Sequence, residues 1–305
     1  MKNVLKVFLL ITLFIYHLPV FASDEGTTSA QFLKIPTNPK IEAMGGAGTS
    51  VFLDEIFYNP ASISKLEKIS ARIGFTSWFE DISKTNLISV FPLRRFTIAT
   101  NLSYFTIGGL KKFDASGNEQ GGLNQWSASF SFGIAKEFGN LCLGTVIKYI
   151  GEKIDTENAN AFAIDAGLIL PVSRTLSLGA SMQNIGTKIK IADVESKLPQ
   201  NLKAGLSLKP MDNLIFAFDM DKPSDGNTRQ HFGGEITFSE KYFMRAGFQK
   251  FGKVSGMTFG FGIKFASSGW KETLSKTEQN FILDYSYQAN SEFDAIHRFS
   301  LTYEF

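Results

Sequence analysis

The C-terminal stretch Phe293-Asp-Ala-Ile-His-Arg-Phe-Ser-Leu-Thr-Tyr-Glu-Phe305 alternates between apolar and polar residues with a period of two. Successive side chains of a β-strand point to opposite faces, so this period predicts a ribbon with one apolar and one polar face. The apolar face would carry Phe299, Leu301, Tyr303 and Phe305. A soluble protein seldom ends on an apolar strand, because the free edge favours aggregation. A strand that closes a barrel in lipid has no free edge and turns its apolar face outward, so the stretch predicts a membrane barrel.

The terminal aromatic residue gives a second indication. The pattern that ends at Phe305 resembles the C-terminal signal of bacterial outer-membrane barrels, in which a terminal aromatic residue marks the last strand for assembly. We therefore expect the four apolar residues of this face to form an assembly signal that the barrel-assembly machinery recognises.

The N-terminus has the parts of an export signal. Two lysines precede an apolar run from Val7 to Val20, which Ala22 and Ser23 follow. We expect residues 1–22 to be a signal peptide that is cleaved after Ala22. An uncleaved membrane anchor is the alternative, but the run is shorter than the roughly 20 residues that a spanning helix needs. No other segment is apolar over a comparable length, so the two ends together predict the outer membrane of a Gram-negative-type bacterium, with its lipid as a partner.

The composition agrees with such a barrel. The 305 residues carry a net charge of +2, and the mean hydropathy is −0.01, as expected when strands alternate between apolar and polar side chains. The single cysteine, Cys142, has no partner for a disulfide. There is no basic block or recognisable nucleic-acid-binding motif, so we expect no nucleic-acid partner.

The period of two continues almost without interruption from Ile69 to the C-terminus. It predicts an all-β fold, a single transmembrane antiparallel β-barrel of about 14 strands. Tight turns such as 138–140 alternate with longer connections at 108–123 and 186–200, as in outer-membrane barrels. The connection at 267–279 is long although it falls on the short-turn side. A soluble β-sandwich is the alternative, but sandwiches seldom need more than about nine strands.

The segment before the first strand does not alternate and is broken by proline and glycine. We expect residues 23–68 to form a plug of short helices and turns, and residues 69–305 to form the barrel around it. The residues expected to fix the plug are Gly45, Gly46, Gly48, Asn59, Pro60 and Ala61.

The polar faces of the strands would line the lumen. They carry charges of both signs and many glycines, including Gly144, Gly179, Gly233 and Gly247. This composition suits ion pairs and the close approach of an inserted segment. The expected lumenal charge network comprises Asp219, Asp221, Glu235, Arg245, Lys264 and Asp284, and the first four of these would hold the plug.

The residues that could carry catalysis or bind a metal form no recognisable motif. His231 would face the lumen near Glu235, where a hydrogen bond is expected rather than a catalytic base, and there is no Gly-x-Ser-x-Gly elbow. Asp219, Asp221 and Asp225 lack the spacing of an EF-hand loop. The glycines at 45–48 lack the flanking strand and helix of a phosphate cradle. We therefore expect no enzymatic activity, no metal and no cofactor, with a barrel-embedded hydrolase as a remote alternative.

Several of these motifs occur together in a known family. The motifs are Phe32-Leu33-Lys34-Ile35, Ala43-Met44-Gly45-Gly46-Ala47-Gly48, Asp54, Asn59-Pro60-Ala61, Asp219-Met-Asp221-Lys-Pro223, His231-Phe-Gly233-Gly-Glu235 and Arg245-Ala-Gly247-Phe. With the terminal Phe305, the succession resembles the FadL-like outer-membrane barrels, and among them the PorV/PorQ family.

The resemblance implies a 14-stranded barrel that holds a small N-terminal plug. FadL relatives move hydrophobic molecules and release them laterally through the barrel wall. PorV relatives belong to the type IX secretion apparatus and bind cargo proteins. The resemblance therefore implies a non-enzymatic barrel that gives passage to a hydrophobic ligand or takes part in protein export. The alternative is a type IX secretion accessory that docks cargo or partner proteins, including secretion-system proteins, without conducting solute.

Overall fold

The computed structural model of the protein describes residues 26–78, 81–252, 254–266, 279–289 and 294–305. The predicted signal peptide at 1–22 and nearly all of the connection at 267–279 lie outside these ranges. No helix in the described ranges is long and apolar enough to cross a membrane.

Fourteen antiparallel strands form one closed barrel. They are β1 (Ser70–Ser77), β2 (Ile82–Pro92), β3 (Thr97–Ile107), β6 (Gln125–Phe138), β7 (Leu141–Ile154), β8 (Glu157–Pro171), β9 (Leu176–Gly186), β12 (Asn201–Met211), β13 (Leu214–Pro223), β14 (Arg229–Phe238), β15 (Tyr242–Phe251), β16 (Val254–Ala266), β17 (Asn280–Gln288) and β18 (Ile296–Glu304). The barrel closes where β1 pairs with β18, with Phe75 opposite Phe299. The predicted strand number is confirmed, and the closed sheet rules out the β-sandwich.

The two ends of the barrel differ. Two hairpins stand at one end, β4 (Lys111–Phe113) with β5 (Glu119–Gly122), and β10 (Ile189–Ile191) with β11 (Val194–Ser196). We call this the long-loop end, and it contains both of the longest predicted connections that the structure describes. The opposite end has tight turns, such as those after Phe138, Met211 and Phe238, and we call it the short-turn end.

The two faces of the sheet have opposite character. The outer face exposes large apolar side chains, among them Phe130, Phe162, Phe232, Phe259, Phe261 and Phe299, each at least 48% exposed. The inner face carries buried charged residues, among them Arg72, Asp165, Asp219, Arg245 and Arg298. This arrangement inverts that of a soluble protein and is typical of barrels that span a bilayer.

Residues 26–68 occupy the lumen, and we call them the plug segment. The segment contains a 3₁₀-helix at Gln31–Lys34, an α-helix at Pro39–Ala43 and a 3₁₀-helix at Pro60–Lys65. It begins at the long-loop end, where Thr28 forms a β-bridge with Lys197, and finishes at the short-turn end, where β1 starts. The described chain therefore runs through the whole barrel before it enters the wall.

Candidate functional site

The first part of the plug segment lies across the long-loop end of the lumen. We call residues 26–35 the strap. Its side chains converge on Asp225 in the turn after β13: Lys34 Nζ lies 3.0 Å and Gln31 Nε2 2.8 Å from the carboxylate, and Thr28 Oγ1 also donates to it. The strap is also joined to the neighbouring loop before β12 by the Ser29 amide, which donates to the Lys197 carbonyl at 3.1 Å.

The Asp225 carboxyl group is 6% exposed and titrates below the usual range of an aspartate. Its burial acts to raise the pKa, but the hydrogen bonds from Gln31, Thr28 and Lys34, together with the positive charge of Lys34, outweigh burial and lower the pKa. Asp225 is therefore charged at neutral pH and anchors the strap. Neither the sequence of the strap nor that of the turn indicates this contact.

A cavity of about 800 Å³ lies beneath the strap, and we call it the upper cavity. Part of its lining is apolar, with Phe32, Leu33 and Ile35 from the strap and Phe105 and Phe251 from the wall. Its volume lies within the range of small-molecule binding sites, and a largely apolar lining with a few polar groups is the usual composition of such sites.

Two lysines stand beside the aromatic rings of the plug without an acidic partner. Lys84 Nζ lies 5.5 Å and Lys203 Nζ 5.6 Å from the centre of the Phe57 ring. No carboxylate in the described ranges lies within 4.0 Å of either ammonium group. Lys84 instead donates to the Phe32 carbonyl at 2.9 Å, whereas the half-buried Lys203 lines the upper cavity. Lys203 thus presents to the cavity an ammonium group that has no direct ion-pair partner, although Asp221 is its neighbour across the β12–β13 pair.

The floor of the upper cavity is a set of polar contacts between plug and wall. Glu42 accepts hydrogen bonds from Tyr58 Oη at 2.8 Å and forms an ion pair with Arg298 at 3.2 Å. These residues are all nearly inaccessible to solvent. A buried carboxylate needs such partners, because an unpaired charge in this environment would be strongly unfavourable.

His231 belongs to the same floor. Its Nδ1 lies 2.6 Å from the Gly45 carbonyl oxygen and its Nε2 faces Asp221 Oδ1. A lumenal hydrogen bond was expected for this residue, but its partners are Asp221 and the plug backbone rather than Glu235. Both ring nitrogens face acceptors, so neither offers the free lone pair that a general base needs.

The predicted plug-fixing glycines lie in crowded positions, where Gly45 meets the backbone of the wall and Gly46 and Gly48 meet side chains. Gly45 and Gly46 have positive φ angles of 68° and 84°, which favour glycine. A Cβ on Gly45 would lie 2.6 Å from the carbonyl oxygens of Phe232 and Phe248 in the wall. The Gly48 amide donates to Asp219 Oδ2 at 2.8 Å, as does the Thr49 amide.

The Asn59-Pro60-Ala61 motif begins a helix and contacts the wall. Asn59 Oδ1 accepts from the Ala61 amide at 2.9 Å, and Pro60 occupies the first helical position, as in a capped helix. Asn59 Nδ2 also donates to the Leu168 carbonyl at 2.9 Å. One asparagine therefore both starts the 3₁₀-helix and attaches it to β8.

Glycines of the wall receive the plug. A Cβ on Gly233 would lie 2.3 Å from the Met44 carbonyl oxygen, one on Gly247 2.1 Å from the Gly45 amide nitrogen, and one on Gly179 2.2 Å from the Thr49 carbonyl oxygen. Gly144 meets Pro60 in the same way, at 2.4 Å. The close approach expected from the inward glycines is present at these four positions.

The six charged residues expected to form one network fall into separate contacts. Arg245 bridges Glu235 and Asp284, each at 2.5 Å. Asp221 faces His231, and Asp219 accepts hydrogen bonds from the plug backbone. Lys264 lies apart from these groups and pairs with Glu304 at 3.2 Å near the short-turn end. Residues that share the inner face therefore stand at different heights in the barrel, and a common role of the six residues stays a prediction.

Several contacts that hold the plug were not anticipated. Arg72 in β1 forms ion pairs with Asp54, at 3.0 Å, and with Glu55. Lys40 lies 3.5 Å from Glu235, which links the plug to the Arg245 group. Arg72 sits on the polar face of the first strand, so its direction could have been read from the alternation, whereas its partners could not.

The expected assembly-signal residues lie on the outer face of β18 and just beyond it. Phe299 is 50%, Leu301 39% and Phe305 42% exposed, and the Tyr303 ring packs against Phe281 with ring centres 4.7 Å apart. Their position in the closing strand is compatible with the expected role, which stays a prediction.

Comparisons with known proteins relate the chain to others through its fold. No family model and no curated protein matches the sequence. The CymD monoaromatic hydrocarbon channel is 12% identical with a TM-score of 0.64, over 88% of this chain and 97% of that chain. The toluene transporter TodX of P. putida is 12% identical with a TM-score of 0.64, over 87% and 97%. A FadL homologue of Pseudomonas aeruginosa is 11% identical with a TM-score of 0.61, over 89% and 98%.

At such identities the likeness concerns the fold alone. These three neighbours lend no support to the finer resemblance to PorV and PorQ or to a role in type IX secretion, which stay predictions. The protein has a closed 14-stranded β-barrel fold similar to that of the FadL-like hydrocarbon channels.

Proposed function

We propose that this protein is a non-enzymatic outer-membrane barrel that gives passage to hydrophobic ligands. The observation that carries the proposal is the upper cavity of about 800 Å³ beneath the strap of a FadL-like barrel, whose lining is in part aromatic and aliphatic and in part polar. The similar channels are named for toluene and monoaromatic hydrocarbons, which are ligands of the kind that such a lining would accept.

The outer-membrane location rests on the exposed phenylalanines of the barrel exterior and on the predicted signal peptide. An exterior of this kind is stable in lipid and aggregation-prone in water. Density-gradient separation of the membranes, with N-terminal sequencing of the mature chain, tests both points. Recovery in the soluble fraction would remove the proposal.

The ligand proposal is tested with two probes, toluene as a neutral aromatic and oleate as an amphiphilic anion. Binding to the purified protein and uptake of the radiolabelled probes by Gram-negative cells without a similar channel are measured. The Ser127→Trp variant places a ring in the upper cavity, because Ser127 faces the lumen and lines this cavity. Its neighbour Ala128 lies on the opposite face of β6, so Ala128→Trp is the matched control.

The expected result is binding of at least one probe, lost in Ser127→Trp and retained in Ala128→Trp. If the wild-type protein binds and takes up neither probe, the ligand-passage function is wrong. A catalytic role is disfavoured by His231, whose two nitrogens are already engaged.

A second candidate, the docking accessory, is favoured by one observation. Every neighbouring pair of barrel strands is hydrogen-bonded and the plug segment crosses the lumen from one end to the other, as expected of a barrel that conducts nothing. In that case the exposed β4–β5 hairpin would be the docking surface. Deletion of residues 111–122 would abolish partner capture but leave probe binding unchanged, which separates the two candidates.

A further inference from the structure

The described strands of the barrel wall are hydrogen-bonded into one closed sheet, and their ladders are interrupted at two places only. Pairing between β2 and β3 continues from Ile82 opposite Ile107 to Pro92 opposite Thr97, and pairing between β3 and β6 is equally continuous. The described barrel ladders shift register only next to Ile164 and Leu208, and pairing resumes beyond each shift. Opening a window elsewhere would leave backbone groups unpaired in hydrocarbon, where water cannot replace the lost bonds. The continuous pairing therefore favours a route out of the upper cavity that does not pass between strands.

A second cavity lies on the other side of the plug. It has a volume of about 480 Å³ and is bounded by Met44 and Val51 of the plug and by Ser177 and Ser207 of the wall. Exposed turn residues such as Asp212 also line it, so it opens at the short-turn end. We call it the lower cavity.

One turn of chain separates the two cavities. Glu42 and Gly46 line the upper cavity, and Met44, between them in sequence, lines the lower cavity. This turn is held to the wall by side-chain contacts, namely the Glu42–Arg298 ion pair at 3.2 Å and the bond from the Gly45 amide to Thr258 Oγ1 at 3.0 Å. Such contacts can be exchanged one at a time, whereas a strand ladder opens only by breaking several adjacent bonds.

We propose that the ligand leaves along the barrel axis, past the Glu42–Gly46 turn into the lower cavity, and emerges at the short-turn end rather than between strands. The inference rests on the proposed passage of hydrophobic ligands and specifies its route. It departs from the lateral release that the family resemblance implies. The turn acts as the gate, and Met44, which is fully buried, is the side chain that the ligand must pass.

The test blocks the lower cavity without touching the upper one. Ser177 pairs with Ser207 and lines the lower cavity, so Ser177→Trp fills it from the wall. Leu208, next to Ser207 on the outer face and 44% exposed, provides the matched control Leu208→Trp. Both variants are compared with the wild type for binding of toluene and oleate and for whole-cell uptake of the radiolabelled probes.

We expect uptake to fall at least tenfold in Ser177→Trp while binding changes less than twofold, and both to be unchanged in Leu208→Trp. Wild-type uptake in a correctly inserted Ser177→Trp protein would overturn the axial route and leave the proposed function intact. A wild-type protein that neither binds nor takes up the probes would instead remove the proposed function.

A second variant covers the case in which Ser177→Trp does not insert. Met44→Ala shortens the side chain between the cavities and should raise uptake severalfold with binding unchanged. Uptake equal to that of the wild type in this variant would also contradict the axial route.

Discussion

Substitution of Gly233 by alanine tests whether the plug is seated on the glycines of the wall. The added Cβ would lie 2.3 Å from the Met44 carbonyl oxygen, whereas ordinary contacts begin near 3.4 Å, so the plug backbone must retreat by about 1 Å. Three neighbouring hydrogen bonds would stretch with it: Gly45 amide to Thr258, Thr258 to the Ala43 carbonyl, and His231 to the Gly45 carbonyl. At about 1 kcal/mol for each bond and at least about 1 kcal/mol for overpacking, the seating of the plug loses about 4 kcal/mol.

Hydrogen–deuterium exchange of the plug amides measures this loss directly. A loss of about 4 kcal/mol in the opening free energy would accelerate exchange of residues 42–49 roughly a thousandfold, since each 1.4 kcal/mol is about a factor of ten. The strand amides should stay protected, because the new methyl group faces the lumen. Gly234→Ala is the control, because its Cβ would meet only atoms of the wall, the Phe216 ring at 3.0 Å and the Ile215 carbonyl oxygen at 3.1 Å, and none of the plug. Equal exchange of residues 42–49 in the two variants would refute the seating.

Three further predictions concern the anchors and the ligand. The folded-state pKa of Asp225 is lowered, so its stabilisation of the strap is present above the ordinary aspartate pKa of about 4 and is lost as the pH falls through the lowered pKa. Hydrogen–deuterium exchange of the amides of residues 26–35 should therefore be faster in Asp225→Asn than in the wild type at pH 7. In acid the difference between the two proteins should vanish. Lys203→Met should weaken oleate binding about tenfold or more and leave toluene binding unchanged, because only the anion can form a hydrogen bond with the ammonium group in the upper cavity. A hydrogen bond to a charged group contributes about 1.5–3 kcal/mol. Equal effects on the binding of both probes would contradict this role of Lys203. The double variant Asp219→Leu with Glu235→Leu should loosen the plug and raise the leakage of small sugars, measured by liposome swelling. The plug amides of Gly48 and Thr49 would lose the Asp219 carboxylate, and the guanidinium of Arg245 would lose Glu235. Unchanged swelling rates would count against this prediction.

The strands could be predicted because each strand has one face on the apolar exterior of the barrel and the other face on the polar lumen. In β14 and β15, Phe232 and Phe248 point outward and are 53% and 41% exposed, while Gly233 and Gly247 point to the plug. The alternation records this contrast residue by residue. It therefore fixes the face of each side chain, and the turns between runs give the strand number.

The contacts within the lumen were not predictable in the same way. Alternation does not give the height of a residue in the barrel, so it could not separate Lys264, paired with Glu304, from Arg245, paired with Glu235 and Asp284. The strap escaped prediction because its main anchor is remote in sequence, with Thr28 and Asp225 separated by 197 positions. Such pairs depend on how the closed sheet brings distant loops together, which no local pattern contains.

The path of the plug segment through the lumen limits the order in which the molecule can be assembled. The strap is attached at one mouth and β1 starts at the other, with two short helices and a buried turn between them. A folded segment of this length could not be drawn through a ring that had already shut. Arg298, in the last strand, also bonds Glu42 of the segment. If the pairing of β1 with β18 forms last, around a segment that already lies inside, closure of the wall and formation of the Arg298–Glu42 ion pair become a single event.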